Sequence, residues 1–495
     1  MPAKRSLTLA LALLLIAAIP AQATSTPTVQ VLDINPMAAS SSPNGLIAFG
    51  NKVFFSANDG THGQELWRTD GAAGETTVGS ELACDIHPSG GSNPNLIGAL
   101  GDWLYFTADD GTNGNELYRT NGAVNGCEIV GINADGDANV SQAVVIGDKL
   151  WFSADNGIHG FEVWYTDNSV PVRVTDINSG AGDANPADFT FAPAGTEVGE
   201  TYIPWVYFTA DDGVTGIELY RTDGVDTFLF ADLNMAAGTG SNPDNLYLYN
   251  GALWFSANDG ESGRELWVTG GGPTELVDLN PGAGSSDPAN FIAYGGLLYF
   301  TAANDATGSE PRRTNGIEIS SYVDLFPGPD GSGVFSPIVI GDWLYFTANN
   351  GGTGYEPWRT DGVEVQQVAD LITGPSSSFP YGYTPIGGQF VFQATLGSAY
   401  YPWISDGTEA GTTQAAILSG TNAYFGCECD RPFAVLEGRV FSYQGNDEYG
   451  YEPAFFELPL PETNGEGSPL STALVLLAAA TAAAGLTIRR GSLAR

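Results

Sequence analysis

Residues 107–123 read TADDGTNGNELYRTNGA and set Asp109 and Asp110 beside a glycine, with Glu116 a few positions on. Asp211, Asp212 and Glu218 repeat the set. Carboxylate oxygens grouped in this way are the donors that calcium takes, about six to eight at a time. The spacing is not that of an EF-hand loop, and Asn stands in the same turn at Asn58, Asn156 and Asn258. A turn whose side chain hydrogen-bonds its own backbone accepts either residue. A structural turn is therefore the preferred reading and calcium the alternative; no other cofactor is expected. Cys84, Cys127, Cys427 and Cys429 are disulfide candidates, with the pairing left open. His62, His87 and His159 are too scattered for a metal triad. A glycoside hydrolase or lyase would need two carboxylates in unlike environments. Asp430, Arg431 and an insertion at 191–205 occur once each, but they name no reaction.

The elements that must position these groups repeat. The residue before each Leu-Trp, Leu-Tyr or Pro-Trp pair, or its equivalent, is Glu65, Glu116, Glu162, Glu218, Glu265, Glu310, Glu356, Tyr401 and Glu452, at spacings of 45 to 56 residues. A period near 46 marks a repeat architecture. Each unit carries four strand signals, as in NPNLIGALG (93–101), WLYFTA (103–108), ELYRT (116–120) and TELVDLN (274–280). The second is apolar on both alternating faces, so both faces must be covered. Pairs such as Asp70-Gly71, Asn121-Gly122 and Asp361-Gly362 between the third and fourth strands predict type I′ hairpin turns. Four-stranded sheets repeated at this length fit the blades of a β-propeller better than a β-solenoid. Residues 28–35, TVQVLDIN, look like a fourth strand without its unit, and the ninth unit stops after its third. Pairing the two closes the ring and removes open sheet edges. The expected fold is all-β: a propeller of about nine blades over 24–459, eight if the divergent ninth unit packs differently.

The ends carry different signals. Residues 1–23 have Lys4 and Arg5, an apolar run and Ala21-Gln22-Ala23, the pattern of a signal peptide. Residues 470–488 are uncharged and long enough to span a bilayer, and Arg489, Arg490 and Arg495 in the tail 489–495 place that tail in the cytoplasm. Between them lies a linker or sorting motif, 460–469. The whole describes an exported chain, held at the cell surface through its C-terminal segment. A formal charge of −40 repels nucleic acid and anionic lipid, so nucleic acid is not expected as a partner.

Three resemblances follow. ELWRTDG (65–71), ELYRTDG (218–224), EPWRTDG (356–362) and PWISDGTEAGT (402–412) resemble the ELWxxDGT repeat of bacterial and archaeal surface proteins. That resemblance implies an exported multi-repeat surface protein and no established chemistry. LPETNG (460–465) resembles the LPxTG sortase motif, with Asn where Gly belongs. Ala57, Asp59, Gly63 and Trp67 resemble the tryptophan-docking motif of quinoprotein propellers, which implies that the Trp stacks on a neighbouring blade. Pro311 and Pro357 replace the usual Leu and predict less regular blades. The expected function is non-enzymatic adhesion or ligand binding, to an extracellular protein or glycan; the alternative is a secreted carbohydrate-active enzyme.

Overall fold

The computed structural model describes residues 29–36, 38–71, 79–192, 205–236, 238–397, 399–415, 417, 424–425 and 431–458. The signal segment, the sorting motif, the apolar span and its basic tail, most of the 191–205 insertion, Cys427, Cys429 and Asp430 lie outside them. Among the described residues there is no helix long and apolar enough to cross a membrane.

Runs such as Trp103–Asp109 (WLYFTAD) form the second strand of each unit, and their central residues are buried whichever way they point. Alternate side chains of a strand leave opposite faces, so such a run needs a neighbour on both sides. The units supply it. Blade 1 is Asn44–Phe49, Lys52–Asn58, Gln64–Thr69 and Ser80–Cys84, joined in that order and antiparallel throughout. Blades 2 to 7 repeat it as separate four-stranded sheets. Blade 8 (Tyr381–Ile386, Gln389–Thr395, Tyr400–Ser405, Thr413–Gln414) and blade 9 belong to one larger sheet. The short strand Tyr424–Phe425 joins them by pairing with a strand of each.

Blade 9 decides the blade count. It holds Ala434–Leu436, Arg439–Asn446 and Gly450–Glu457, and its fourth strand is Gln30–Val31, which pairs with Phe455 and Ala454. Leu32 and Ile34 then enter one cluster with Phe55 of blade 1 and Phe441, Tyr443 and Phe455 of blade 9. The propeller has nine blades and is closed, which excludes a solenoid. The core is divided accordingly, one cluster for each pair of neighbours; Phe54, Leu66, Phe106 and Tyr118 lie between blades 1 and 2.

Two expectations need correction. The Asp-Gly and Asn-Gly turns after the third strand are not type I′, because only the glycine has positive φ (Gly224 94°, Gly362 91°). In blades 4 and 7 they are four-residue loops, since Thr222 pairs with Thr227 and Thr360 with Val365. One Asp oxygen accepts two backbone N–H groups, Val225 and Asp226 on Asp223, Val363 and Glu364 on Asp361. That carboxylate does what a second positive φ would have done. Turns with positive φ at both central residues lie instead between the first two strands, at Asn250-Gly251, Gly295-Gly296 and Gly387-Gly388. The blades with Pro311 and Pro357 also keep a regular register, Thr301 opposite Pro311 and Thr347 opposite Pro357. The proline carbonyls still accept from the fourth-strand side, from Tyr322 at 3.1 Å and Val368 at 2.7 Å, so proline forfeits only its missing N–H.

Candidate functional site

The repeated carboxylates are occupied by the fold. Glu65 is fully buried; Oε2 accepts from Ile86 N–H (2.9 Å) and the Ser92 hydroxyl (2.6 Å), and Oε1 from the N–H of Ser92 (2.9 Å) and His87 (3.2 Å). These donors sit on the loop leading into blade 2. Glu116 takes Ile132 and Asn133 N–H at 2.7 and 2.8 Å, and Glu265 takes Leu279 N–H, Ser286 N–H and the Ser286 hydroxyl. Glu218 does the same with Leu233 and Ser241, and Glu452 closes the ring by accepting from Ile34 and Ser41. Burial raises the pKa of these groups, and pushes Glu356 and Glu452 up to about 7. Blade 8 has Tyr401 in place of the glutamate, and the loop that follows it is the divergent one.

The acidic turn is equally committed. Asp109 Oδ1 accepts from Gly111 N–H (2.7 Å), and Asp110 Oδ1 from Thr112 and Asn113 N–H (2.9 and 2.7 Å). Asp211 and Asp212 repeat this with Gly213, Val214 and Thr215. Partial burial opposes ionisation of Asp110, but the Asn113 and Thr112 bonds outweigh it and hold the pKa below the usual range. Asn58 and Asn350 make the same bonds, which is why Asn replaces Asp freely. The calcium candidates Asp109, Asp110, Glu116, Asp211, Asp212 and Glu218 therefore already hold backbone donors, and among the described residues no three His, Cys, Asp or Glu groups gather as a metal cluster. The histidines are apart: His62 meets Asp59 (2.7 Å), and His159 meets Asn156 (3.2 Å). Gly63, of the docking motif, has φ 80°, and a Cβ there would lie 2.6 Å from the Gly91 backbone, so turn and inter-blade loop touch only because both are glycine. Trp67 packs into the cluster shared with blade 9. Cys84 is joined to Cys127, which links the fourth strands of blades 1 and 2.

The repeat breaks on the inner wall. First strands of neighbouring blades lie against one another around the ring. In blades 1 to 8 each of them is bulged. Bulges re-aim side chains, and several of these carry left-handed non-glycine residues, Gln142 at 53° and Asp188 at 57°. Onto this wall comes Arg431 from the loop before blade 9. It donates from Nη2 to the Ile97 carbonyl of blade 2 at 3.0 Å. The following Pro432 rests on Gly382 of blade 8, in the space a Cβ would need. Beneath Arg431 a cavity of about 400 Å³ is lined by Asn44, Asn95, Ser141 and Gln142. Gln142 also borders a second hollow, of about 360 Å³, that contains Asp188. Asp188 shares a hydrogen bond with Asp244 of blade 5. Burial, then the charge and hydrogen bond of Asp244, push it up to about 6 against the pull of Arg264. Arg264 itself lies 3.6 Å from Asp244.

No family model matches the chain, and no curated protein matches it. Among solved structures, it is similar to a prolyl endopeptidase at 12% identity and TM-score 0.39, over 75% of this chain and 55% of that one. It is also similar to a puromycin-hydrolyzing peptidase of Mycobacterium tuberculosis at 13% and 0.38, over 62% and 49%. A GH74 xyloglucanase from Xanthomonas campestris matches at 14% and 0.36, over 86% and 75%. The chain spans about half the length of the first two. Likeness at this level carries neither activity nor substrate across.

Sequence reasoning singled out Arg431 as unrepeated but not what it reaches. It passed over Asp188 and the repeated arginine of the third strand. Arg119 lies 4.2 Å over the Trp103 ring and donates to the Asn168 carbonyl of blade 3; Arg313 donates to the Gly362 carbonyl of blade 7. Each clips the turn of the next blade. Its recurrence in ELYRT and EPWRT was the available signal.

Proposed function

We propose that this chain is an exported surface propeller of the ELWxxDGT-repeat kind, acting without catalysis as an adhesion or ligand-binding module for an extracellular glycan or protein. One observation carries the reading. The repeated acids are used up by turns and loops, while the side chains that break the repeat gather on one stretch of inner wall, as the polar cavity under Arg431. Its groups, two asparagines, a glutamine, a serine and an arginine, hydrogen-bond well and are poor acids and bases at neutral pH. Signal segment, apolar span and basic tail belong to the same proposal, as the means of display. The test is a glycan and matrix-protein array probed with residues 24–459, beside an assay for sugar release from the same glycans. Saturable binding without product is expected. A second reading, a carbohydrate-active enzyme, is favoured by Asp188 and Asp244, neighbouring carboxyls of which one is held protonated near pH 6. Product release that Asp188→Asn abolishes would establish that reading instead.

A further inference from the structure

We infer that the cavity under Arg431 recognises a carboxylated sugar, a uronate-type residue whose carboxylate meets the guanidinium and whose hydroxyls meet Asn44, Asn95, Ser141 and Gln142. The inference rests on the ligand-binding reading above and names its ligand class. Three observations support it. First, each other Lys or Arg among the described residues is in an ion pair, lies over an aromatic ring or is buried. Arg431 is exposed, and among the described residues no carboxylate pairs with it. An exposed guanidinium that no described carboxylate neutralises can take an anionic ligand.

Second, the guanidinium is held. Nη2 is committed to Ile97 at 3.0 Å and the adjoining Pro432 lies against Gly382, so its remaining N–H donors form a fixed fork. Such a fork matches a carboxylate in two parallel bonds. Third, the wall beside it is amide and hydroxyl from three successive blades, with Asn44, Asn95, Ser141 and Gln142 exposed. A ring bearing hydroxyls at several positions finds donors and acceptors there. The lining also holds Leu96, Ile97, Val140 and Ala143, so a peptide carboxyl terminus is the competing ligand, and titration with each separates it from a uronate.

The experiment is calorimetric titration of residues 24–459 with galacturonate and glucuronate oligosaccharides, their neutral galactose and glucose counterparts, and a short peptide with a free C-terminus. The acidic sugars are expected to bind at least tenfold more tightly than the neutral ones. Arg431→Ala should abolish that preference while leaving the thermal melt unchanged, since Arg431 is exposed; Arg431→Lys should restore part of it, because it keeps the charge and loses the fork. Equal binding of acidic and neutral sugars, a preference unmoved by Arg431→Ala, tighter binding of the peptide, or no binding of the acidic sugars at tens of millimolar would each overturn the inference. Neutral glycans captured independently of Arg431 would leave the binding reading standing without it. Cleavage of any oligosaccharide would overturn the binding reading itself.

Discussion

The buried glutamates of blades 1 to 7 accept hydrogen bonds from a loop downstream in sequence, and Glu452 from one far upstream; what they do there is measurable. Glu265→Ala would strand the buried N–H of Ser286 and the part-buried N–H of Leu279. An unmade buried bond costs about 1–3 kcal/mol, so a loss on the order of 3 kcal/mol is expected in denaturant titration. A change below about 1 kcal/mol would mean that water replaces the carboxylate. In the acidic turn, Asp110→Asn should be nearly neutral because Asn350 already does the same work, whereas Asp110→Ala should cost about 1 kcal/mol. Melts in chelator and in millimolar calcium should coincide; a clear upward shift with calcium would instead establish the metal reading for Asp109, Asp110 and Glu116. The turn role was legible in the sequence, from the free exchange of Asp and Asn. The role of the glutamate was not, because its partners are backbone groups, and backbone N–H leaves no residue type to read.

At the scale of elements, the strands and their order were written in the chain: double-sided apolar runs marked the second strand, and TVQVLDIN marked a fourth strand without its unit. Turn type was misread because Asn-Gly and Asp-Gly serve two geometries, and the choice depends on whether the Asp oxygen caps the next two N–H groups. Cysteine pairing was unreadable, since four cysteines allow several partners until the blades are placed side by side. The Cys84–Cys127 bridge closes a 43-residue separation. Chain-entropy reasoning assigns such a loop about 4 kcal/mol. Replacing both cysteines with serine should lower the melting temperature measurably under oxidising conditions, and reduction of the parent chain should reproduce the shift. If neither matters, the Arg68–Gly122 clip and the packing between blades 1 and 2 suffice without the bridge.

The whole molecule carries a large negative charge, and its pH response combines two kinds of carboxyl. Glu356 and Glu452 have folded-state pKa values near 7, above those of an unfolded chain. Their contribution is therefore complete below about pH 4.5 and is lost as pH rises through 7. Asp59, Asp110, Asp212 and Asp259 are held low, so theirs is present above about pH 4 and lost below it. Self-repulsion also eases on acidification. The melting temperature should rise from pH 7.5 to about 5 and fall below 4; a steady decline from pH 7.5 downward would contradict this assignment. The closed ring has one more consequence. Ile34 and Glu452 meet across 418 residues, so Gln30–Val31 has its partner only when the far end of the repeat array is present. Only a chain carrying the Gly450–Glu457 strand can fasten it. A product truncated before that strand is not a slightly smaller propeller but an open horseshoe with two bare faces, exposed to proteases and to other copies of itself. The ring thereby acts as a check on length: it closes only when both ends of the repeat array are present.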